Sequence, residues 1–410
     1  MKKGFTLIEL LAVIIVLAVI ALIAVPRIMD AIDDARRGAY NQNEYALVKA
    51  AKTHLVENND LIPTENNMVT IVTLEQLIDS DNIKAMSMGA EECDGYVTVV
   101  LNDDNIEYHP NIKCGNEYTT PGYLEQDDFD AEIIVIAGGG GGGAVSGGGG
   151  GAGGVIHESI LLTISSEYDL TVGHGGAGGT DRYTKGENGE DSRFDTFEAL
   201  GGGGGGSISS RTGEDGGSGG GANSRPSASG GIALLSGAQG TDAGQANGVE
   251  ATGAGSGSGG GGFSTEGEDT IDQWSAGNGG NGFDATSLIG TTFGDNGWFA
   301  AGGGGGVSNA SGNPYTATAG LGGQGGGGQG NISMSDGYDA LPNTGSGGGG
   351  GGYNGSGWTG GNGGSGADGI IFVKYLGSPK AIGGQIYSFE NYTIHVFTNP
   401  GDYLLRTIDF

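Results

Sequence analysis

The sequence predicts an α+β fold, in which a long N-terminal helix and a small disulfide-bonded antiparallel sheet precede an all-β glycine-rich sandwich. Three observations support this prediction. An apolar run of 21 residues from Phe5 to Val25 continues into a helical stripe, two short alternating segments follow, and 83 of the 93 glycines lie in residues 123–376. A chain of 410 residues has room for two or three folded units.

The N-terminal helix is predicted over residues 5–57. From Phe5 to Val25 only Thr6 and Glu9 are not apolar, and a helix of that length spans about 30 Å of hydrocarbon. Beyond it, apolar residues recur at helical spacing among polar ones. Because Pro26 lies inside the helix and cannot donate its backbone hydrogen bond, we expect a kink there. The sequence therefore predicts one membrane span that extends into an amphipathic helix.

The residues before the apolar run are unlike an ordinary secretory signal. Such a signal has its small-residue cleavage site after the apolar stretch, whereas Gly4 precedes it. Lys2 and Lys3 favour a cytoplasmic leader, so the rest of the chain is expected to face outward. A conventional signal peptide or a plain anchor is the alternative interpretation.

The run Gly4-Phe5-Thr6-Leu7-Ile8-Glu9 resembles the prepilin motif of type IV pilins and type II secretion pseudopilins. The resemblance implies that residues 1–4 are a leader removed by a prepilin peptidase between Gly4 and Phe5, and that Phe5 becomes methylated. It implies that Glu9 pairs with the terminal amine of a neighbouring pilin in a helical filament. A carboxylate inside a span usually has a partner, although snorkelling to the interface is the alternative. The implied location is the inner membrane first, with an extracellular C-terminal part, and then a cell-surface pilus.

Residues 58–118 predict a small head. Thr73 and Gln76 fit a capping box at the start of a short helix, and residues 96–101 and 106–109 fit the two strands of a hairpin. Cys93 and Cys114 fit neither a redox pair nor a zinc site, and in an exported chain they predict one disulfide, worth roughly 3 kcal/mol. The head resembles that of Gram-positive pilins.

Residues 119–376 form the glycine-rich segment. Its glycines occur in irregular blocks, which excludes both a solenoid with one fixed repeat and collagen. Disorder is the default expectation for so much glycine. However, all three tryptophans of the chain lie here, together with strand-like segments such as 155–164 and 370–375. These features favour a folded domain over a flexible spacer.

Segments 133–143 and 363–375 resemble the glycine-rich domains of phage tail-fibre adhesins and bacterial surface proteins. The resemblance implies a β-sandwich that carries polyglycine II helices, with binding residues on the loops at the helix ends. Exposed aromatic and arginine side chains often anchor ligands. The candidate ligand-binding residues are Arg182, Tyr183, Trp274, Tyr315, Tyr338 and Trp358. Residues 377–410 predict a C-terminal β segment that either completes this sandwich or remains from a lost second module.

The net charge of −31 and the absence of a basic run argue against nucleic acid as a partner. The chain has no Gly-Lys dipeptide for a phosphate loop, and its five histidines have no metal-ligand spacing. We therefore expect no enzyme activity, no cofactor and no metal. The favoured function is a minor pilin that displays a glycine-rich adhesin for a surface glycan or cell-surface receptor. The alternatives are a pseudopilin of a secretion or DNA-uptake machine, and a structural spacer.

Overall fold

The computed structural model describes residues 7–88, 91–103, 105–115, 118–120, 123, 128–223, 228–246, 255–270, 272–309, 317–354 and 359–408. The chain divides into two compact units. Unit 1 is Met1–Glu125 and unit 2 is Gln126–Asp409. Unit 1 thus ends somewhat later than the predicted head, whose last residue was placed at 118.

Unit 1 combines helix with a small antiparallel sheet. Its elements are α1 (Leu7–Glu57), a 3-10 turn (Asn59–Leu61), β1 (Met68–Thr73), α2 (Leu74–Asp79), β2 (Ser87–Met88), β3 (Glu91–Asn102), β4 (Asn105–Cys114) and β5 (Tyr118–Thr119). The strands of its sheet pair in the order β5-β4-β3-β1, and β2 pairs with the start of β3. Every one of these pairings is antiparallel.

The core of unit 1 forms where the second half of α1 packs against the sheet. Leu47, Ala51 and Leu55 share one face of α1 because they are four residues apart, and each is buried. They pack in one cluster with Val72 of β1 and Val97 of β3. The sheet therefore covers an apolar stripe of α1 that would otherwise face water.

Two local predictions for unit 1 are confirmed. Thr73 Oγ1 accepts a hydrogen bond from the Gln76 N–H at 3.2 Å, and Gln76 Oε1 accepts one from the Thr73 N–H at 2.9 Å, which completes the capping box of α2. Cys93 and Cys114 lie directly opposite each other on β3 and β4 and form a disulfide.

Unit 2 contains the remaining elements, which are almost all strands. They are β6 (Phe129–Ile136), β7 (Val155–Leu162), β8 (Glu167–Val172), β9 (Ser192–Phe194), β10 (Phe197–Ala199), β11 (Phe283–Asp284), α3 (Thr286–Ile289), β12 (Trp298–Phe299), β13 (Ile370–Leu376), β14 (Ala381–Ile382), β15 (Gln385–Phe389), β16 (Tyr392–Phe397) and β17 (Gly401–Thr407). Long stretches between them have no regular helix or strand.

Two antiparallel sheets of unit 2 form a sandwich. One has the strand order β15-β16-β13-β6-β7 and the other β10-β9-β8-β17-β14. Ile133 and Val135 of the first sheet pack in one buried cluster with Leu170, Phe194 and Leu405 of the second. Because β14 and β17 lie in one sheet and β15 and β16 in the other, the segment after residue 376 completes this sandwich. This decides the alternative that the sequence left open.

The glycine segments of unit 2 form a bundle of extended helices. Segment 147–154 lies at its axis, because its N–H groups donate at three-residue intervals to segments 200–206, 258–261 and 345–351. Its carbonyls accept, at the same interval, from segments 137–143, 218–221 and 303–306. Lateral bonds that repeat every three residues are the pattern of an extended helix with three residues per turn. One helix therefore has six hydrogen-bonded neighbours.

The spacing inside the bundle leaves no room for side chains at most positions. A Cβ added to Gly150 on the axis would lie 2.0 Å from the carbonyl oxygen of Gly140. The contacting atom belongs to the backbone, so no rotation of a side chain relieves the overlap. The close approach that permits the lateral hydrogen bonds thus requires glycine at this position.

The predicted α+β class is wrong for the chain as a whole. Within the described residues, helix is confined to α1, the 3-10 turn, α2 and α3, and the last two contain only six and four residues. The other regular elements are antiparallel strands, and the chain between them is mostly extended glycine backbone. The α+β prediction gave the N-terminal helix too much weight relative to the rest of the chain. In that remaining part, the glycine segments satisfy their hydrogen bonds laterally instead of coiling into α-helix.

The N-terminal predictions have a different outcome. Within the residues that the structure describes, no helix is both long and apolar enough to cross a membrane, so the predicted span is not supported. Gly4 and Phe5 lie outside the described residues. Glu9 and Pro26 lie within α1, which is continuous through both positions, but their side chains are outside the described part. The kink at Pro26 therefore stays a prediction.

Candidate binding surface at the distal loops

The glycine bundle of unit 2 has one end at the sandwich and one end remote from it. Strand β6 leads into segment 137–143, the chain turns at 144–146, and segment 147–154 returns directly into β7. The turn therefore lies at the remote end. Other loops lie beside it, because Gly179 N–H donates to Gly142 O at 2.9 Å and Val145 N–H donates to Gly361 O at 3.1 Å. We call the described loops at this end, 144–146, 180–185, 207–212, 272–275 and 359–360, the distal loops.

Loop 180–185 is closed by its own side chains. Asp181 Oδ1 accepts hydrogen bonds from the N–H groups of Tyr183 at 2.7 Å and Thr184 at 2.9 Å. Thr184 Oγ1 accepts from the N–H groups of Thr180 and Asp181, both at 2.9 Å. The Tyr183 N–H that donates to the Asp181 carboxylate is the main reason that the pKa of this carboxyl lies below its usual value. The loop therefore has a defined shape with a charged carboxylate at neutral pH.

Loop 207–212 braces the same loop from one side. The carbonyl of Arg182 accepts hydrogen bonds from Ser207 Oγ and from the N–H of Ser209, both at 2.9 Å. The carbonyl of Tyr183 accepts one from Ser210 Oγ at 2.8 Å. The backbone carbonyls of Arg182 and Tyr183 are therefore both bonded inside the protein.

Arg182 and Tyr183 form a contacting pair, in which Arg182 is half-buried and Tyr183 is exposed. The Arg182 guanidinium carbon lies 4.5 Å from the centre of the Tyr183 ring, and Arg182 Nη2 also contacts the Tyr183 hydroxyl. Tyr183 is 60% exposed, which is high for a large aromatic residue on a folded domain. A cation on the face of a tyrosine is attracted to its ring electrons. This contact holds the Arg182 and Tyr183 side chains in one orientation relative to each other.

A cavity of about 300 Å³ adjoins this pair. It is lined by Val145, Thr180, Asp181, Arg182, Tyr183 and Thr359, with Gly360 at its edge. Three distal loops contribute to it, namely 144–146, 180–185 and 359–360. The lining combines an apolar side chain, an aromatic ring, hydroxyls and one charge of each sign.

Of the predicted ligand-binding residues that the structure describes, two lie together, namely Arg182 and Tyr183. Trp274 lies on another distal loop and is half-buried, with its N–H bonded to Asp272 Oδ1 at 2.8 Å. Tyr338 is 59% exposed but lies along the side of the bundle, where its carbonyl accepts from the N–H of Gly349. Tyr315 and Trp358 lie outside the described residues.

The other residues of the cavity were not predicted from the sequence. Val145, Thr180, Asp181 and Thr359 were not singled out. One local signal was available for Asp181. An aspartate side chain commonly accepts a hydrogen bond from the backbone N–H two residues later in a turn. Nothing local links Val145 or Thr359 to this loop, because their proximity depends on which glycine segments lie side by side.

Metal binding has no support among the described residues, where no group of three or more histidine, cysteine, aspartate or glutamate side chains could hold an ion. The cavity has one carboxylate, which already accepts hydrogen bonds from its own loop. The other polar groups in its lining are hydroxyls and a guanidinium, beside the Tyr183 ring.

Comparison with protein families gives two matches. Residues 124–376 match the family described as a glycine-rich domain, and residues 1–25 match the prokaryotic N-terminal methylation motif. Both agree with the resemblances that the leader and the glycine segments indicated. The comparison with individual curated proteins finds no match.

Proposed function

Because the chain belongs to the glycine-rich domain family and starts with the N-terminal methylation motif of pilins, we propose that it is a minor pilin-like subunit that displays an adhesin on a surface filament. The motif implies processing by prepilin peptidase and assembly with other pilins. In the proposed maturation, cleavage separates Gly4 from Phe5, Phe5 is methylated, and Glu9 pairs with the terminal amine of a neighbouring subunit. Unit 2 then provides the binding surface.

The observation that carries this proposal is the position of the distal loops within unit 2. The chain enters the sandwich at the start of β6, and β6 leads toward the bundle. Eight strand residues and the seven residues of segment 137–143 separate the entry point from turn 144–146, which corresponds to roughly 48 Å at ordinary rises per residue. The bundle thus holds the half-buried Arg182 and the exposed Tyr183 far from the point where the chain enters the sandwich.

The bundle is also suited to this role because it is fixed by hydrogen bonds along its length. Segment 147–154 bonds to six neighbouring segments. A passive spacer needs length and flexibility but no ordered loops. An adhesin needs binding residues on a rigid support, since ordering them on contact would reduce affinity. The hydrogen-bonded bundle therefore favours a domain that displays binding residues over one that acts as a passive spacer.

The proposal is tested with cells that express either the whole chain or a chain ending at Glu125. The shortened chain is expected to enter filaments normally while adhesion of the cells is lost. Unchanged adhesion would contradict the adhesin role. If adhesion is unchanged and secretion or DNA uptake fails instead, the chain is a pseudopilin.

The minor-subunit part of the proposal has its own test. Immunogold particles directed at unit 2 are expected at filament tips or at scattered sites, because unit 2 is much larger than the head that packs in a filament. Uniform decoration along every filament would show that the chain is a major subunit.

A further inference from the structure

We propose that the cavity beside Arg182 and Tyr183 binds one neutral sugar ring, the terminal residue of a glycan. This inference rests on the proposed adhesin function and adds the chemical class of its ligand. It is carried by the size, lining, charge and rigidity of the cavity.

The size of the cavity restricts the ligand to one small group. Its volume of about 300 Å³ is at the lower end of the range for ligand pockets. A folded protein partner would instead bury a broad surface of several hundred square ångströms on each side. A single ring that enters end-on fits this volume, and the remainder of a glycan would extend into solvent.

The lining matches the alternating surface of a sugar. Val145, which is 2% exposed, contributes a small apolar part of the lining, and the Tyr183 ring contributes an aromatic surface against which C–H groups can pack. Thr180 and Thr359 contribute hydroxyls on the rim. A purely apolar ligand would leave these polar groups without water or partners, which is unfavourable. A ring with C–H faces and a rim of hydroxyls satisfies both kinds of surface.

The charges around the cavity favour a neutral ligand. Asp181 and Arg182 contribute one charge of each sign to the lining. A chain with a net charge of −31 disfavours the approach of an anion, and the guanidinium disfavours a cation inside the cavity. Both side chains can bond to sugar hydroxyls, since a carboxylate accepts and a guanidinium donates.

The cavity is preformed, which suits a small ligand with few contacts. Asp181, Thr184 and the serines of loop 207–212 hold its main loop by hydrogen bonds. Val145 in the lining has φ of 59°, a left-handed conformation that is unusual for a β-branched residue. Such a conformation persists only where the surrounding structure enforces it. The loops are therefore already ordered before a ligand binds, so ordering them costs little of the binding free energy.

The test measures binding of the full chain to methyl glycosides of neutral hexoses and N-acetylhexosamines, with sialylated and sulfated glycans as anionic counterparts. We expect a neutral glycoside to bind. Tyr183→Ala should weaken that binding by about tenfold, while Tyr183→Phe keeps most of it because the ring remains. Tyr338→Ala is the matched control, since Tyr338 is equally exposed on the same bundle and lies away from the cavity. Thr359→Val, which removes a rim hydroxyl at constant size, provides a second variant and should also weaken binding.

Three results would overturn the inference: no neutral glycoside binds the wild-type chain, anionic glycans bind more tightly than neutral ones, or Tyr183→Ala and Thr359→Val both behave like Tyr338→Ala. These results are separable from failure of the adhesin proposal. If removal of unit 2 abolishes adhesion but no neutral sugar competes with it, only the sugar assignment is wrong. If removal of unit 2 leaves adhesion intact, the adhesin proposal itself is wrong.

Discussion

The Asp339 carboxylate accepts a hydrogen bond from the backbone N–H of Ser365 at 2.6 Å. Three residues earlier, Asp336 accepts one from the N–H of Asn362 at 2.7 Å. The same three-residue spacing recurs in two further pairs on other segments of unit 2, Asn188 with Asp191 and Asn278 with Asn281. Each of these side chains accepts from a backbone donor of the segment that lies beside its own, such as segment 201–206 beside Asn188 and Asp191. Part of the acidic composition thus serves to complete hydrogen bonding on the outside of the bundle.

This relationship predicts that the acceptor oxygen matters more than the charge. Replacing both residues, Asp336→Ala with Asp339→Ala, should destabilise unit 2 by about 1 kcal/mol per lost bond. The matched Asp336→Asn with Asp339→Asn variant should retain most of the stability, because an amide oxygen accepts in the same way. Chemical denaturation of unit 2 measures both. Equal losses for the two variants would show that charge is responsible.

At the axis of the bundle, Gly150→Ala should be strongly destabilising. The new Cβ would overlap the Gly140 carbonyl, so neighbouring segments would have to separate and lose hydrogen bonds. We expect a loss of about 3 kcal/mol or more in the free energy of unfolding of unit 2. Gly38→Ala in α1 is the control, since a Cβ there meets nothing within 4 Å and alanine favours helix. A normal melting temperature for Gly150→Ala would contradict the packing described above.

The sandwich contains a buried histidine that should make unit 2 sensitive to acid. His395 is fully buried, its Nδ1 donates to Gly383 O at 2.7 Å, and its Nε2 accepts from the Tyr375 hydroxyl at 2.7 Å. Burial lowers the pKa of His395 to about 4. The unfolded chain takes up this proton near pH 6.5, whereas the folded chain resists it until about pH 4. The contribution of His395 to the free energy of unfolding is therefore fully present above pH 6.5. It declines by about 3 kcal/mol in total as the pH falls from 6.5 to 4.

Denaturation of unit 2 at a series of pH values tests this expectation. His395→Gln cannot titrate, so its stability should lack the additional decline between pH 6.5 and 4 that the wild-type chain shows. If the two chains have parallel profiles over that interval, His395 is not the responsible group. Tyr375→Phe should destabilise the neutral form by about 1–3 kcal/mol, because it leaves Nε2 without a donor.

The disulfide should act on unit 1 alone. Cys93→Ser with Cys114→Ser removes a cross-link between residues 21 positions apart, which is worth roughly 3 kcal/mol in the chain-entropy model. The thermal transition of unit 1 should therefore shift to lower temperature, and that of unit 2 should stay in place because both cysteines lie in unit 1. A shift of both transitions would show that the units unfold together. An unchanged transition of unit 1 would show that the cross-link contributes little.

Some elements of this protein were encoded locally and could be predicted. The capping box of Thr73 and Gln76 depends on residues three positions apart, and the hairpin of β3 and β4 follows from two alternating segments around a short turn. The disulfide was predicted from two cysteines in a chain that was expected to be exported. The α+β class failed, because glycine blocks have no side-chain periodicity from which their lateral pairing can be deduced.

The candidate site was predicted in part for the same reason. Arg182 and Tyr183 could be named because an arginine and a tyrosine are conspicuous in a glycine background. Their ring contact follows from being adjacent in sequence. The cavity could not be predicted, since it also requires Val145 and Thr359, which other segments of the bundle bring to this loop.

The sequence by itself determined the N-terminal motif, the cysteine pair and the glycine-rich region, because each is a pattern of residue types over short distances. Only the tertiary structure decided that segment 147–154 lies at the axis and that loops from three parts of the chain meet at its remote end. The physical reason is that the bundle is held by backbone hydrogen bonds between distant glycines, such as Gly150 N–H with Gly348 O. Every glycine offers the same donor and acceptor, so the choice of partner depends on the whole packed arrangement and the short polar loops that connect it.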